Sequence, residues 1–261
     1  MPVSLDEILG STRRGLDGVR ARRASLEREA GLSGPPLSFR GALRKGTVAV
    51  IAELKRRSPS AGAILEELNP ADRAALYARH GAAAISVLTD GPYFGGSMDD
   101  LRAAARRAGI PVLRKDFILD EVQILEARAA GAAAVLLIVR ALGSRLRTLL
   151  RHTSDLRLDA LVEVHTSDEL AAALEAGATI VGVNSRNLDT FAVDVAAARE
   201  IVARVPPDCI AVAESGMTRY EDVERAAAAG ADAVLIGTAL SAAAAPEILL
   251  EDLSRVIRRA R

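Results

Sequence analysis

The sequence contains no tryptophan, one cysteine and few aromatic residues, which make up 3% of the chain. A single cysteine, Cys209, excludes both a disulfide scaffold and a thiolate zinc site. No serine stands in a GxSxG turn, and the three histidines lack the spacing of a metal site. The sequence therefore gives no support to Ser-His-Asp catalysis or to metal-dependent hydrolysis.

A net charge of one sign is also missing. The 34 basic residues are balanced by 34 acidic residues, so no overall basic field favours nucleic acid or an anionic membrane as a partner. The arginine-rich stretch 13–28 also contains acidic residues, a mixture typical of a solvated helix. No apolar run is long enough to span a membrane, and the N-terminus has no apolar signal segment. We therefore expect a soluble cytoplasmic protein that binds neither nucleic acid nor membrane.

Lysine is scarce, because only Lys45, Lys55 and Lys115 occur among the 34 basic residues. Two of them, Lys55 and Lys115, stand near the ends of predicted strands. An ammonium group can lower its pKa on burial and pass a proton, whereas a guanidinium group stays protonated. These two positions indicate proton transfer, and point charges that hold an anion are the alternative.

Short β-rich runs recur eight times along the chain. Helical stretches separate them, and the runs are apolar on both faces, which is typical of parallel strands covered by helices. The runs cover residues 48–54, 83–88, 112–114, 133–139, 160–164, 179–183, 209–213 and 233–236. Several helical stretches end in a glycine that stops a helix, namely Gly81, Gly109, Gly131, Gly177 and Gly230.

Eight strand–helix units predict an α/β protein with a single closed (β/α)8 TIM barrel. A doubly wound sheet is the alternative, but the first strand is not followed by a GxGxxG fingerprint. Residues 1–46 precede the first strand, look helical up to about Ala30 and continue into the breaker segment 31–36. We expect residues 1–46 to form a helical extension packed on a catalytic barrel of residues 47–261.

Polar residues stand at the carboxyl ends of four predicted strands. In a barrel these ends surround the catalytic mouth. The residues are Glu53 and Lys55, Lys115, Glu163, and Asn184. Any one of them could belong to a structural ion pair, but agreement among four strands favours a catalytic site.

The segments after the seventh and eighth predicted strands, 214–217 and 237–240, are rich in small residues. Loops at these places in such barrels often hold a phosphate with backbone N–H groups, and Ser58 and Lys55 could complete the site. The alternative is that their glycines simply turn the chain. His80 and His152 lie in helical stretches and indicate surface or capping roles, while His165 lies near the mouth without a metal partner.

Six short motifs of the chain match a known pattern. They are IAELKRRSPS at 51–60, SVLTD at 86–90, YFGGS at 93–97, LRKDF at 113–117, NSRNL at 184–188 and AESG at 213–216. Together they resemble indole-3-glycerol phosphate synthase, and the resemblance extends from about Leu5 to Ile257. It implies ring closure of 1-(2-carboxyphenylamino)-1-deoxyribulose 5-phosphate in tryptophan biosynthesis, with loss of carbon dioxide and water and without a cofactor.

The resemblance also implies roles for individual residues. Lys115 would be the general acid at cyclisation, Glu163 and Lys55 would manage dehydration, and Glu53 would position the lysines, although the division of acid work between Lys55 and Lys115 stays open. The remaining residues would contact or orient the phosphorylated substrate: Asn184 and Ser215 as orienting groups, Ser58 and Arg186 beside it, Gly216, Gly237 and Thr238 at its phosphate, Phe94, Phe117 and Leu136 around its anthranilate ring, and Leu188 and Leu235 as further contacts.

The sequence leaves two alternatives to this function. An Amadori isomerase acting on a phosphoribosyl amine would shuttle protons with a carboxylate and thiol or carboxylate pair, but the lone Cys209 begins its predicted strand and so belongs to the opposite rim. A catalytically silent barrel would be expected to lose some of the catalytic residues, and all are present. The apolar stripes of the outer helices do not distinguish an oligomer from barrel packing, so a monomer is the default and a weak homodimer the alternative.

Overall fold

The computed structural model describes residues 4–59, 62–65, 67–188 and 190–259. Ser60, the last residue of the first motif, lies outside them, as do both ends of the chain. In the described part, every helix is too short or too polar to cross a lipid bilayer.

Eight parallel strands close into a barrel, as the sequence predicts. The barrel strands are β1 (Ala49–Leu54), β4 (Ala84–Leu88), β5 (Val112–Lys115), β6 (Ala134–Ile138), β7 (Asp159–Val164), β8 (Ile180–Asn184), β9 (Ile210–Glu214) and β10 (Ala233–Ile236). Each strand pairs with its sequence neighbours, and β10 pairs with β1 to complete the ring. A two-stranded antiparallel pair, β2 (Arg57–Ser58) and β3 (Gly62–Ala63), follows β1.

Helices surround the barrel and alternate with its strands. They are α1 (Leu5–Arg20), α2 (Arg23–Leu32), α3 (Phe39–Ala42), α4 (Pro70–Arg79), α5 (Gly91–Phe94), α6 (Met98–Ala108), α7 (Glu121–Ala129), α8 (Val139–Leu142), α9 (Leu146–Asp155), α10 (Ser167–Ala176), α11 (Val195–Val202), α12 (Tyr220–Ala228), α13 (Thr238–Ala242) and α14 (Pro246–Leu253), with a 3-10 turn at Gly143–Arg145. The five predicted helix-stop glycines all have φ between +66° and +103°. This confirms their role at the helix ends, where a side chain would be strained.

Several strands extend further toward the catalytic mouth than the sequence predicts. Lys115, Asn184 and Glu214 are the last residues of their strands, each one residue beyond the predicted run. At the fourth predicted strand, which is β6, the predicted end was one residue too late, because Val139 begins α8. The corrected bounds place three polar side chains on rigid strands.

The single helix predicted for residues 13–28 is wrong, although most of its residues are exposed to solvent as predicted. The chain breaks between α1 and α2, at Ala21 and Arg22, and the arginines around the break dock on α7. Arg20 pairs with Asp120 at 2.7 Å, and Arg22 pairs with the buried Glu126. Ion pairing across these helices therefore fixes the extension on the barrel. Its separation from the barrel at residue 46 stays a prediction.

Side chains inside the barrel alternate along each strand, since successive residues point to opposite faces. In β9, Ile210 and Val212 belong to the interior cluster and Glu214 follows them on the same face. Phe39 and Leu43, both fully buried, join the same cluster from α3 and the residue that ends it. The interior is therefore a packed core whose uppermost inward positions carry polar groups.

Candidate active site

A cavity of about 480 Å³ lies at the carboxyl ends of the barrel strands. It contains in its lining every residue that the sequence predicts for the site: Glu53, Lys55, Ser58, Phe94, Lys115, Phe117, Leu136, Glu163, Asn184, Arg186, Leu188, Ser215, Gly216, Leu235, Gly237 and Thr238. Strand pairing explains the grouping, because Leu88 pairs with Lys115, Ile138 with Glu163, and Asn184 with Glu214. The roles of these residues stay predictions.

Lys115 lies among carboxylates at the floor of this cavity. Its Nζ atom is 3.4 Å from Oε2 of Glu163 and 3.7 Å from Oε2 of Glu214. The two glutamates are almost fully buried, whereas the lysine side chain keeps 16% of its surface exposed. The ammonium group therefore links two strands and still reaches the space where a substrate would bind.

The pKa of Lys115 differs from the sequence-based expectation. Burial favours the neutral amine, but the charges of Glu163, Glu214 and Glu53 outweigh it and raise the pKa of Lys115 above its ordinary value. The expectation that the pKa of this lysine is lowered overall is therefore wrong, because the neighbouring carboxylates outweigh burial. An ammonium that stays protonated at neutral pH is suited to donate a proton.

The two glutamates beside Lys115 have opposite pKa shifts. Burial acts against the charge of both, but Lys115 and His165 lower the pKa of Glu163 below its ordinary value. For Glu214, burial together with the charge of Glu163 raises the pKa to about 8. Near neutral pH the site therefore contains one ionised and one protonated carboxyl group, as acid–base sites often do.

Glu53 and Lys55 lie across the cavity from this pair. Because they are two residues apart at the end of β1, both side chains point into the mouth, and Lys55 Nζ is 3.6 Å from Glu53 Oε1. Glycine at position 237 makes room for Glu53, since a Cβ atom there would lie 2.2 Å from Glu53 Oε1. Lys55, one of the two lysines that the sequence indicates for proton transfer, is thus ion-paired inside the cavity.

Asn184 is oriented by hydrogen bonds at the end of β8. Its Oδ1 atom accepts from Ser215 Oγ at 2.9 Å and from the backbone N–H of Arg186 at 3.0 Å. With the oxygen so occupied, the amide group is left to donate to the carboxylate of Glu163, and this contact also lowers the pKa of Glu163. The amide therefore couples three consecutive strands of the barrel.

The turn after β9 has an uncommon backbone. Ser215 and Gly216 both have positive φ, 66° and 74°. A non-glycine residue in this region carries a conformational cost, so Ser215 is held there by its surroundings. A Cβ atom at Gly216 would lie 2.6 Å from a methyl group of Val195. The turn is therefore tight and close to neighbouring loops, and it leads into the cavity rim near Thr238.

One wall of the cavity is apolar. Phe94 and Phe117 contribute rings whose centroids are 6.3 Å apart, and Leu136 lies fully buried on β6. Leu5 and Ile8 of α1 complete this side. The combination of an apolar wall with charged groups and glycine turns suits a ligand that has an aromatic part and an anionic part.

Among the lining residues that were not predicted from the sequence, Glu214, Leu5 and Ile8 show patterns that the sequence contains. Glu214 was treated as part of a turn, although its two-residue spacing from the apolar Val212 could have placed it on the inner face of the strand. Leu5 and Ile8 were taken only as part of the extension, although their spacing of three residues gives one apolar face to α1. Periodicity could have placed Glu214 at the mouth, whereas it marks Leu5 and Ile8 only as an apolar face and does not show where that face docks.

The histidines lie as expected, with one addition. His80 ends α4 and lies 2.7 Å from Glu251, and His152 lies 3.3 Å from Glu121, both outside the cavity lining. His165 follows β7 and lies between two carboxylates, which the sequence interpretation overlooked.

Known proteins of one family are similar to this chain over most of its length. The model of the indole-3-glycerol phosphate synthase family matches residues 5–253. A curated relative of that name from Leptospira interrogans is 50% identical over 77% of this chain and 80% of its own. Another, from a Parafrankia species, is 48% identical over 91% of this chain and 92% of its own.

Among solved structures, thiamine phosphate pyrophosphorylase from Pyrococcus furiosus is similar with a TM-score of 0.58. The similarity covers 81% of this chain and 95% of that one, at 18% sequence identity, and so it shows the barrel fold alone. The family match, in contrast, covers almost the whole chain and includes the residues around Lys115 and Glu163. The chain belongs to the indole-3-glycerol phosphate synthase family.

Proposed function

We propose that this barrel converts 1-(2-carboxyphenylamino)-1-deoxyribulose 5-phosphate to indole-3-glycerol phosphate, releasing carbon dioxide and water. The position of Lys115 is the observation that supports this function most directly. Its ammonium group lies 3.4 Å from the Glu163 carboxylate at the floor of a cavity with an apolar wall. Family membership and the mixed character of the cavity support the same substrate.

In this proposal, Lys115 protonates the ribulose carbonyl oxygen while the aromatic carbon attacks the carbonyl carbon. The raised pKa of Lys115 is compatible with this role. The oxygen that gains charge during the attack becomes far more basic than an amine, so the proton moves toward it in the transition state. Loss of carbon dioxide then returns the electrons of the broken bond to the cationic ring system. For this step the protein mainly provides charged groups that are already held in position.

Dehydration requires a base and an acid, which we assign to Glu163 and Lys55. Glu163 is ionised in the resting enzyme and can accept a proton. Lys55 lies on the opposite side of the mouth, held by Glu53, and can protonate the departing hydroxyl group. Proton donor and acceptor thus lie on different strands around the bound sugar.

The substrate's two ends would lie on different sides of the cavity. The anthranilate ring fits against Phe94, Phe117 and Leu136, while the phosphate fits the turns at Gly216 and at 237–238. Arg186, Ser58, Leu188 and Leu235 complete the contacts, and Asn184 and Ser215 keep the catalytic groups in place. A phosphorylated small molecule is accordingly the proposed partner, while the monomeric state and the cytoplasmic location stay predictions.

The proposal is tested by incubating the purified protein with this substrate and following indole fluorescence together with carbon dioxide release. The chain contains no tryptophan, so its own indole background is absent. We expect one carbon dioxide per indole product. A folded protein that binds the substrate without forming product would favour the silent barrel, and isomerised substrate without carbon dioxide would favour the isomerase.

A further inference from the structure

His165 lies directly behind the proposed base of the site. It follows the last residue of β7, two positions after Glu163, and its Nε2 atom is 3.5 Å from Glu163 Oε1. The other oxygen, Oε2, is the one that lies 3.4 Å from Lys115 Nζ. The two oxygens of this carboxylate are therefore divided between an ammonium group on the cavity side and an imidazole ring on the other side.

The far side of the ring is held by a second carboxylate. His165 Nδ1 lies 3.4 Å from Glu169 Oε2, and the same oxygen accepts a hydrogen bond from the backbone N–H of His165 at 2.6 Å. Glu169 belongs to the first turn of α10, four residues after the histidine. Only 11% of the His165 side chain and 17% of the Glu169 side chain are exposed. The contacts form a carboxylate–imidazole–carboxylate chain that runs from the cavity floor to the outer helix layer.

Charged and polar groups on the surrounding elements determine the ionisation of this chain. Glu163 is surrounded by Lys115 on β5, Asn184 on β8, Glu214 on β9 and, at longer range, Glu53 on β1. Glu169 is also influenced by the positive charge of Arg140 on α8.

Burial disfavours the charged form of His165, but the carboxylates of Glu169 and Glu163 outweigh it and raise the pKa of the ring. The raised pKa of His165 and the two contacts favour an ionised Glu163 that lies between two cations, Lys115 and the protonated ring. The His165 cation therefore offsets the negative charge that Glu163 would otherwise carry alone at a buried position.

A role limited to packing would not need this arrangement. The backbone N–H of His165 alone fixes Glu169 to the start of α10, and the imidazole is not part of the cavity lining. The ring therefore does not contact substrate, and its effect on the reaction must pass through Glu163. Both ring nitrogens are buried, so solvent does not screen that effect.

We propose that His165, oriented by Glu169, is a positioning residue that holds Glu163 as a carboxylate for the dehydration step. This inference rests on the proposed function, because it assigns Glu163 the part of a base. Without the imidazolium, Glu163 takes up a proton at a higher pH and loses its basic form sooner as the solution is acidified. Glu163 also loses one of the contacts that fix its orientation, and those with Lys115 and Asn184 remain.

The test is the pH profile of kcat for wild type, His165→Gln and Glu169→Gln, with His152→Gln as the matched control. For His165→Gln we expect the acidic limb to move to higher pH by about one unit, the usual effect of removing one nearby opposite charge. This corresponds to an approximately tenfold loss of kcat on the limb, with KM changed by less than about twofold. Glu169→Gln is expected to move the limb less, since the ring is still protonated there, and His152→Gln not at all.

A second measurement, independent of turnover, is an NMR titration of the histidine rings in the substrate-free protein. The chain has three histidines, so each resonance can be assigned from a variant. We expect His165 to titrate above the ordinary histidine pKa and Glu169→Gln to lower it. This titration does not require the His165→Gln variant to fold.

Two results would overturn the inference: a pH profile of His165→Gln that superimposes on that of wild type, or a His165 ring that is neutral at neutral pH. Failure of the proposed function looks different. In that case wild type itself forms no product at any pH, while the NMR titration still reports whether His165 is a cation beside Glu163.

Discussion

Five of the ionisable side chains that line the cavity form a cluster of lysines and glutamates, and the charges of this cluster do not balance if all are ionised. Lys55 and Lys115 contribute two positive charges, while Glu53, Glu163 and Glu214 contribute three negative ones. A buried site tolerates an unpaired charge poorly, so one carboxyl group takes up a proton. Glu214 is the group whose pKa rises to about 8. With this proton the five-residue cluster is neutral before the substrate brings its own negative charges.

The protonated Glu214 makes the stability of the protein depend on pH. Above pH 4.5 the unfolded chain loses this proton, while the folded state keeps it up to about pH 8. The free energy of unfolding therefore falls as the pH rises through this window, by at most about 1.4 kcal/mol per pH unit. Glu214→Gln removes this contribution, and we expect a flatter dependence and a variant more stable than wild type at pH 8.

Chemical denaturation at several pH values between about 5 and 8 measures this effect. The matched control is Glu224→Gln, which removes an exposed carboxylate from α12 and should leave the wild-type slope unchanged. If Glu214→Gln also keeps the wild-type slope, Glu214 is ionised in the folded protein and the charge balance proposed for the site is wrong.

At the scale of single residues, the sequence predicted positions better than protonation states. Lys115 could be placed at the mouth because its strand ends there, but the pKa of its ammonium depends on Glu163 and Glu214, which come from other strands. Distances across the barrel are not readable from spacing along the chain. His165 was left without a partner for a similar reason, since its contacts with Glu163 and Glu169 emerge only once β7 and α10 are in place.

At the scale of elements, a buried ion-pair network joins the extension to the barrel. Arg114 of β5 lies 3.0 Å from Glu126 of α7 and 2.9 Å from Asp116, and Arg22 beside α2 pairs with the same Glu126. Arg114 immediately precedes Lys115, and Asp116 immediately follows it. The network therefore fixes the strand end that carries the proposed acid.

Glu126→Gln is expected to destabilise the protein by about 3 kcal/mol, because it leaves the buried Arg114 with only part of its charge compensated. The matched control is Glu27→Gln, which removes a pair between Glu27 and Arg23 whose side chains are more than half exposed. Exposed pairs of this kind contribute about 0–1 kcal/mol. Urea unfolding compares the two variants, and equal losses would mean that the buried network does not hold the extension.

Element boundaries show where local sequence was insufficient. The break between α1 and α2 contains neither proline nor glycine, so nothing in the residues around Ala21 and Arg22 announces it. Docking of Arg20 and Arg22 on α7 accounts for it, and this is a tertiary effect. The glycine stops were predictable, in contrast, because each combines the end of a helical pattern with a residue that tolerates positive φ.

At the scale of the whole molecule, the proposed catalytic residues and the single thiol of the chain lie at opposite rims of the barrel. Cys209 directly precedes β9 and is buried, with its Sγ atom 3.5 Å from the carbonyl oxygen of Ala178. Glu214 ends the same strand at the catalytic mouth. The length of a strand therefore separates the thiol from the cavity, as the barrel prediction required.

Cys209→Ala is expected to leave kcat/KM within about twofold of wild type and to cost about 1 kcal/mol of stability, the scale of one weak buried contact. Steady-state kinetics and thermal unfolding measure the two effects. A large loss of turnover in a folded variant would give the thiol a chemical role and revive the isomerase alternative.

The fold as a whole was predictable because it repeats. Eight apolar runs with glycine-capped helices between them leave a closed parallel barrel as the favoured arrangement, and the structure confirms it. The rim on which Glu53, Lys115, Glu163 and Asn184 meet follows from that arrangement. The contribution of α1 to the cavity, through Leu5 and Ile8, did not follow, since the barrel alone does not determine where an extension docks.

The measurement that tests the central claim most directly is the turnover of Lys115→Arg beside Lys45→Arg. Both variants keep a positive charge, but a guanidinium cannot give its proton to the substrate, and Lys45 lies exposed before β1. We predict that Lys115→Arg folds and loses at least about 100-fold in kcat, the usual contribution of a general acid, while Lys45→Arg matches wild type. Near-normal turnover of Lys115→Arg would contradict the assignment of Lys115 as the proton donor.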